Sequence, residues 1–340
     1  MIDETPPGHP GKPITTGAQD LTSVGGHSPE SEISSGAEDL VVLEYSAADA
    51  PEGLDASLAD IGPSRSLASD AWHRFRRNRL AMFGLFLVGF LLVVALLGPL
   101  LVADPLDTSG VSREAPTNQH WMGTDRLGHD VLARVVYGVR LSLFIGFVAT
   151  AAETLIGIVV GALAGWFRGL TDTILMRFVD IMLGIPYLVL ALVFVAILGR
   201  GVSAVVITLA LTAWLQTARI VRGGFLQVRE LEYVEAAKAI GVPTHRIIIR
   251  HVLPNVFQPV IVLVAVGIGT AILAEAALSF LGVGIPAPQP SLGLMVAEAQ
   301  TEVTTSFYLL AFPALGIIIT VLGFLLVGDG LRDALDVKDI

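Results

Sequence analysis

The chain has 340 residues, of which 53% are hydrophobic and only 15% are charged, well below the roughly 25% charged residues of a soluble domain. Thirteen of the 31 acidic side chains but only two of the 21 basic ones lie in residues 1–70, so the net charge of −10 is concentrated there. The absence of cysteine excludes disulfides, thiolate metal sites and thiol catalysis. The composition predicts an all-α membrane protein.

Residues 1–70 form an acidic tail rich in Gly, Ser and Pro, with no Phe or Trp. Such a segment cannot bury enough apolar surface to offset the entropy lost on ordering, so we predict a disordered cytoplasmic extension. It lacks the basic start and apolar core of a signal peptide. The alternative is a docking or autoregulatory segment, with Val41–Tyr45 as its only apolar patch.

Apolar segments of about 20 residues can cross the hydrocarbon as helices, because every backbone group must be hydrogen-bonded internally there. The rest of the chain, residues 71–340, contains six such segments and is predicted to be a six-helix membrane bundle. The predicted spans are residues 80–102, 141–166, 174–198, 202–220, 259–281 and 309–327.

Basic side chains near the span ends predict the orientation, because cytoplasmic loops carry more Lys and Arg. Six spans place both termini and the loops between spans two and three and between spans four and five on one side. That side carries the larger set: Arg74, Arg76, Arg77, Arg79, Arg168, Arg177, Arg219, Arg222, Arg229, Lys238, Arg246, Arg250, Arg332 and Lys338. Both termini are therefore predicted to be cytoplasmic.

Small residues recur every four positions in the second span, at Gly157, Gly161 and Gly165. Small side chains let neighbouring membrane helices approach closely. The spacing predicts tight packing against another helix of the bundle.

The loop between spans four and five, residues 226–254, contains two short helical patterns. The first runs from Leu226 to Ile240 and ends at Gly241, a typical helix terminator. The second begins at Pro243, a residue favoured in the first helical turn, and is predicted to end before Leu253. Two short helices that bend at a glycine can act as a rigid handle outside the bilayer.

This loop resembles the EAA signature of bacterial importer permeases. The resemblance implies that the loop sits in a groove on an ATPase subunit and transmits its closure to the membrane helices. The alternative is an unrelated amphipathic surface helix. The matching residues are Glu235, Ala236, Ala237, Gly241, Leu253 and Pro254.

Further segments outside this loop are Gly123–Arg134, Tyr137–Leu143, Asp172–Pro186, Glu275–Gly284 and Gly328–Asp336. They resemble the second permease subunit of dipeptide and oligopeptide ABC importers, in which Arg is usual at the position of His129 and Ser at that of Ala133. The resemblance covers about residues 70–340 and implies a bacterial inner-membrane permease for di- or oligopeptides. Nickel and glutathione importers have closely similar permeases and stay alternatives, while an ATP-independent secondary transporter is less supported.

The resemblance also implies the partners: a second homologous permease, two ATPase subunits, an extracytoplasmic substrate-binding protein and membrane lipid, but no nucleic acid. The chain lacks a Gly-rich loop followed by Lys-Ser or Lys-Thr. We therefore expect a transport subunit without enzymatic activity of its own, with ATP and Mg²⁺ bound by the partner ATPases. No histidine spacing is typical of a metal site, so no metal or other cofactor is predicted in this chain.

Polar and proline-rich residues on the predicted outer side are candidates for docking the binding protein or for a gate. The alternative is local capping, in which Thr124 or Asp125 begins a short helix. The five candidates are Asp125, His129, Asp130, Pro286 and Pro288.

Glu153, Asp180 and Glu275 fall in or beside predicted spans, where ionised carboxylates are costly and usually face protein or water. Glu275 is the candidate for the substrate path, where it could bind a peptide amino terminus. Asp180 lies one helical turn from Arg177, which predicts an ion pair between them. Pairing or capping is the alternative role for all three carboxylates.

Overall fold

The computed structural model describes residues 67–336. Within that range the only β-pairing is an isolated bridge between Thr124 and Asp130, which confirms the all-α prediction. The predicted disordered tail, including Val41–Tyr45, lies outside the described residues except for residues 67–70. These four residues begin a helix instead.

Eleven helices account for most of the described chain. They are α1 (Leu67–Arg77), α2 (Arg79–Leu97), α3 (Val131–Phe167), α4 (Gly169–Leu183), α5 (Tyr187–Leu198), α6 (Val202–Val228), α7 (Glu232–Ala239), α8 (Thr244–Ile247), α9 (Leu253–Phe280), α10 (Leu292–Ala299) and α11 (Tyr308–Leu335). Five helical segments are long and apolar enough to cross a membrane, and the bent pair α4–α5 is a sixth candidate span.

The third predicted span is not one straight helix, because α4 and α5 meet at 95°. The break falls at Gly184–Pro186. Proline has no N–H to donate and disfavours helical geometry in the residue before it. The apolar run therefore predicted this helical region, but it did not indicate the bend.

Four other helices are longer than the predicted spans, and two of them, α6 and α11, end at Val228 and Leu335 rather than at residues 220 and 327. Helix α3 begins ten residues before the predicted start at residue 141 and includes Arg134, because that charge is paired and shielded within the protein. The predicted stop before Leu253 is wrong: α8 continues through a π-helical turn, Ile248–Val252, directly into α9. Pro254 has no N–H to donate to the preceding turn, and the wider π-helical turn accommodates the loss of that hydrogen bond.

Helices α3 and α6 form the most extensive helix pair of the bundle, and the glycine spacing lies along their contact. A Cβ atom at Gly157 would lie 2.6 Å from the Thr217 Cβ, and one at Gly161 would lie 2.5 Å from the Ala218 carbonyl oxygen. The predicted close helix approach is confirmed.

Helix α11 packs between α2 and α9 on another side of the bundle. A Cβ at Gly84 would lie 2.6 Å from the Leu326 Cβ. Helix α1 is held to the C-terminal end of α11, since Arg74 donates to the Asp336 carbonyl oxygen (3.1 Å) and Asn78 to the Asp333 carboxylate (3.2 Å).

Candidate functional site

The EAA-like residues lie on helix α7, which packs one face on the bundle. Val234 and Ala237 are buried in a cluster with Trp166 and Phe225, whereas Glu235 and Ala236 are exposed. Of the two alanines, only Ala236 is therefore free to lie in a partner's groove, and the small size of Ala237 serves the chain's own packing.

Gly241 ends α7 in the left-handed conformation, with φ +78°. Its N–H donates to the Lys238 carbonyl oxygen, and the N–H of Val242 donates to the Ala237 carbonyl oxygen, both at 3.0 Å. This is the Schellman pattern, in which glycine avoids the steric cost that a Cβ would bring. The predicted helix stop at Gly241 is confirmed, and it sets the angle between α7 and α8.

Cationic side chains fasten the loop of residues 226–254, named the coupling loop for its predicted role, to the end of α3. The guanidinium carbon of Arg229 lies 5.5 Å from the centre of the Trp166 ring, and the Lys238 ammonium lies 5.2 Å from it. Cation–π contacts of this kind are worth about 0.5–1 kcal/mol at exposed sites. Arg229 also donates to the Trp166 carbonyl oxygen.

An exposed ion pair between Arg168 and Glu230 adds to this junction. The hydrogen bond from Arg168, and then its charge, lower the pKa of Glu230. The pKa of Lys238 is also lowered, first by desolvation and then by the charge of Arg229. The loop therefore gathers several charges around one aromatic ring at the end of α3.

Large apolar side chains remain exposed around the same loop. Ile240 is 81% exposed and Ile249 is 64% exposed, while Leu253 is partly buried and Pro254 exposed. Exposed apolar residues beside small ones form a surface suited to a protein partner. The ATPase contact of these residues stays a prediction.

Asp125 organises the loop before α3 at the opposite end of the bundle. Its carboxylate accepts hydrogen bonds from the backbone of Leu127 (2.8 Å) and of His129 (2.9 Å), from the His129 ring (2.7 Å) and from Arg134. Burial by itself raises the pKa of Asp125, but the bonds from His129 and the charge of Arg134 outweigh it and lower the pKa. His129 thus occupies a structural position beside Asp125.

Asp130 is the N-cap of α3. Its carboxylate accepts the Ala133 N–H at 2.9 Å and lies 2.9 Å from the Nδ1 atom of His120. The capping alternative named Thr124 or Asp125 and is wrong in that detail: Asp130 begins the helix, whereas Asp125 braces the preceding turn.

The candidate docking residues are only partly gathered by the fold. Asp125, His129 and Pro288 line one cavity of about 160 Å³ together with Arg134 and Glu298. Asp130 and Pro286 do not line this cavity, although Pro286 is exposed on the adjoining loop. A docking or gating role for the five stays a prediction.

An ion pair that the sequence did not suggest braces this end of the bundle. Arg113 donates to both oxygens of Glu302, at 2.6 and 2.8 Å. The hydrogen bond from Arg113 is the largest influence on Glu302 and lowers its pKa. The two residues are 189 positions apart, too far for local spacing to reveal the pair.

Glu275 is fully buried and bonded by three serines. Ser142 on α3 donates at 3.0 Å, Ser279 one turn along α9 donates at 2.8 Å, and Ser291 at the start of α10 donates at 2.8 Å. This arrangement ties three elements together, so the geometry favours a structural role for Glu275 over contact with substrate. Only Ser279, four residues away, could have been paired with it from sequence spacing.

The other two intramembrane carboxylates differ from each other. Asp180 pairs with Arg219 on α6, so the predicted pairing with Arg177 is wrong: the partner comes from a neighbouring helix. Glu153 lies on α3, is 6% exposed, and has neither an ion pair nor a hydrogen bond within residues 67–336. Over the same range no group of three or more His, Cys, Asp or Glu side chains could hold a metal ion.

Comparison with protein families places these features in context. Residues 157–338 match the binding-protein-dependent transport system inner membrane component family, and residues 66–122 match the N-terminal TM domain of oligopeptide transport permease C. The MetNI methionine ABC transporter in an inward-facing conformation shares the fold, with a TM-score of 0.50 at 20% identity over 59% of this chain and 95% of that one.

Curated relatives are considerably more similar in sequence. The chain is 42% identical to the dipeptide transport system permease protein DppC of Bacillus subtilis, over 81% of this chain and 87% of that protein. It is 40% identical to the oligopeptide permease OppC of the same organism, over 81% and 91%. The glutathione permease GsiD of Pectobacterium atrosepticum is 37% identical, over 78% and 90%.

The apolar helices of membrane-crossing length and the family match together define the chain as a membrane transport component. This chain belongs to the family of binding-protein-dependent transport system inner membrane components, in the group that contains the DppC and OppC permeases of ABC importers. Membership of this family sets aside the alternative of an ATP-independent secondary transporter, and it implies ATPase and permease partners.

Proposed function

We propose that this chain forms half of the translocation pathway of an ATP-driven importer of di- or oligopeptides, and that α7, Gly241 and α8 couple it to ATPase subunits. The observation that carries the proposal is the coupling loop itself. Val234 and Ala237 anchor α7 in the bundle while Glu235, Ala236 and Ile240 remain exposed beside them. A partner that moves this surface would move the bundle with it.

The complete importer would contain a second homologous permease, two ATPases that bind ATP and Mg²⁺, and an extracytoplasmic binding protein. This chain would contribute no ATPase site of its own. The excess of basic residues at the coupling end supports a cytoplasmic location for that end and for both termini in a bacterial inner membrane. The cavity beside Asp125, His129 and Pro288 would then face the binding protein, with Asp130 and Pro286 nearby.

Peptide cargo is supported by similarity to DppC and OppC. Glutathione is the second candidate, because GsiD permeases are also similar over most of the chain. Both cargoes carry a free amino group and at least one carboxylate.

Uptake by cells that lack this gene, with and without the complementing chain, tests the cargo. Labelled dipeptide, longer oligopeptide, glutathione and nickel would be compared. Loss and restoration of peptide uptake is the expected result. Restoration of glutathione or nickel uptake alone would keep the permease assignment and replace the cargo, and unchanged uptake of all four compounds would contradict the proposal.

Charge reversal on α7 tests the coupling. Glu235→Lys should abolish import and reduce co-purification of the ATPases, because it places a cation on the exposed face of α7, while the chain stays in the membrane. Asp329→Lys is the matched control, since Asp329 is an exposed carboxylate on α11 near the same end. Normal import by Glu235→Lys would overturn the coupling assignment, and loss of import in both variants would mean that charge reversal alone is harmful.

A further inference from the structure

Glu153 is a carboxylate near the middle of the predicted second span. It belongs neither to the coupling loop nor to the candidate docking residues. It lies roughly 20 Å along α3 from either end of the apolar segment, at 1.5 Å per residue. Its side chain is 6% exposed, and the described part of the chain offers it no basic partner. Acidic residues at such depth face a bundle interior or a water-filled cavity, and by default they mark a functional site.

Glu153 borders a cavity of about 270 Å³ between α3, α6, α9 and the bend at α4–α5. Four other polar side chains line it: Tyr187, Thr212, Gln216 and Thr270. The volume is far larger than a single water requires. The other five lining residues are apolar, so the cavity is a largely apolar chamber with one carboxylate and four other polar side chains in its wall.

A second polar group near Glu153 also lacks a partner, although it does not line the cavity. The Thr150 hydroxyl, one helical turn away on α3, is buried and has no hydrogen-bond partner. Gly267 on α9 faces both residues: a Cβ there would lie 3.0 Å from Glu153 Oε1 and 3.0 Å from Thr150 Cγ2. Polar groups inside proteins are normally hydrogen-bonded, and the Glu153 carboxylate, which borders the cavity, is the group that a bound donor would satisfy.

The exposed polar residues of the chamber indicate where it opens. Gln216 and Thr270 are exposed on the surface of this single chain. Polar side chains at this depth are unfavourable against lipid tails and face protein or water instead. In an importer with two permeases, this wall would therefore face the second permease and the pathway between them.

The lining selects the chemistry of the ligand. One carboxylate is surrounded by hydroxyls and an amide, and no Lys, Arg or His lines the cavity. Metal ions such as nickel favour imidazole ligands, which are absent from this lining, whereas an ammonium group supplies three donors and one positive charge. The chamber therefore fits a primary ammonium group better than a metal or an anion.

We propose that Glu153, with Tyr187, Thr212, Gln216 and Thr270, forms an intramembrane subsite for the ammonium group of the cargo. The inference rests on the proposed import function, because the cargo must pass through the bundle to reach the subsite. Loss of a hydrogen bond to a charged group should weaken ammonium binding by about tenfold or more. A peptide with a blocked amino terminus should lose the same interaction.

The natural absence of cysteine makes a direct test possible in the assembled importer. Thr270→Cys places a reporter thiol in the lining at the loss of only one bond within its own helix, to the Gly267 carbonyl oxygen. Its modification by cationic aminoethyl methanethiosulfonate and by anionic sulfonatoethyl methanethiosulfonate would be compared in proteoliposomes. Gln216→Cys is a second reporter if the first does not assemble.

With Glu153 present, the cationic reagent should react about tenfold faster than the anionic one, and a dipeptide with a free amino terminus should protect the thiol. Glu153→Gln should remove both the preference and the protection. Glu153→Asp should restore part of both. Glu275→Gln is the matched control, because Glu275 is enclosed by serines elsewhere and should not change the ratio of the two rates.

Two failures are distinguishable. If the importer takes up no peptide even with wild-type Glu153, the proposed function fails. If it takes up peptide and Glu153→Gln leaves the reagent ratio and the protection unchanged, the subsite is overturned while the import function stands. Equal protection by free and N-acetylated dipeptide would also overturn the subsite.

Discussion

Replacement of Glu275 separates a structural role from a transport role. Glu275→Gln keeps a carbonyl oxygen where Ser279 and Ser291 donate, and its amide N–H can donate to the Ser142 hydroxyl after that hydroxyl rotates. The variant should therefore lower the free energy of unfolding by about 1 kcal/mol or less. Glu275→Ala removes three hydrogen bonds, each worth about 1 kcal/mol, and leaves a cavity, so it should cost about 3–5 kcal/mol.

The assay is thermal unfolding of the purified importer, with membrane assembly and peptide uptake measured in parallel. Glu275→Gln should melt close to wild type and import normally, while Glu275→Ala should fail to assemble or should melt far lower. Two results would refute the reasoning. An equal loss of stability in both variants would mean that the hydrogen bonds to the three serines are not the main role of the carboxylate. A stable Glu275→Gln importer that does not transport would instead support a role for Glu275 in substrate passage.

Two further predictions concern packing and pH. Gly161→Ala should destabilise the bundle by about 1–2 kcal/mol through overpacking. Gly89→Ala on α2 is the control: a Cβ there meets nothing within 4 Å, so the variant should be neutral or stabilising. Equal melting temperatures for the two variants would contradict the close α3–α6 contact. The pKa of Glu302 is lowered by Arg113, so the pair stabilises the protein above the ordinary carboxyl pKa and its contribution is lost as pH falls through the lowered value. Glu302→Gln should reduce the fall in melting temperature at acid pH, measured by thermal unfolding over a series of pH values. An unchanged dependence of melting temperature on pH would exclude the ion pair as the cause of that fall.

Local patterns in the sequence were sufficient for much of the fold. Apolar runs located five helices of membrane-crossing length and the bent α4–α5 pair, because the hydrocarbon thickness imposes a minimum length on each span. The glycine spacing in α3 predicted the most extensive helix contact, and Gly241 predicted the end of α7, since both depend on the size or backbone freedom of single residues. These features are encoded within a few neighbouring positions.

Features that depend on distant partners were not accessible in the same way. The predicted second span began after Arg140 and left out Arg134, because hydropathy counts both charges, although Asp125 pairs with Arg134 in the fold. Asp180 was assigned the neighbouring Arg177, yet its partner is Arg219 on another helix. The lone position of Glu153 could be recognised only once the surrounding helices were in place.

The two ends of the proposed mechanism are joined by a single rigid pair of helices. Trp166, held by Arg229 and Lys238 of the coupling loop, lies about 20 Å along α3 from Glu153. The glycine contacts that lock α3 against α6 occupy the intervening turns. Because close-packed interfaces resist continuous deformation, a displacement of α7 would carry α3 and α6 together and would move both walls of the ammonium subsite at once. Coupling in this chain therefore needs no flexible relay: the helix pair that carries the subsite also carries the attachment point of the coupling loop.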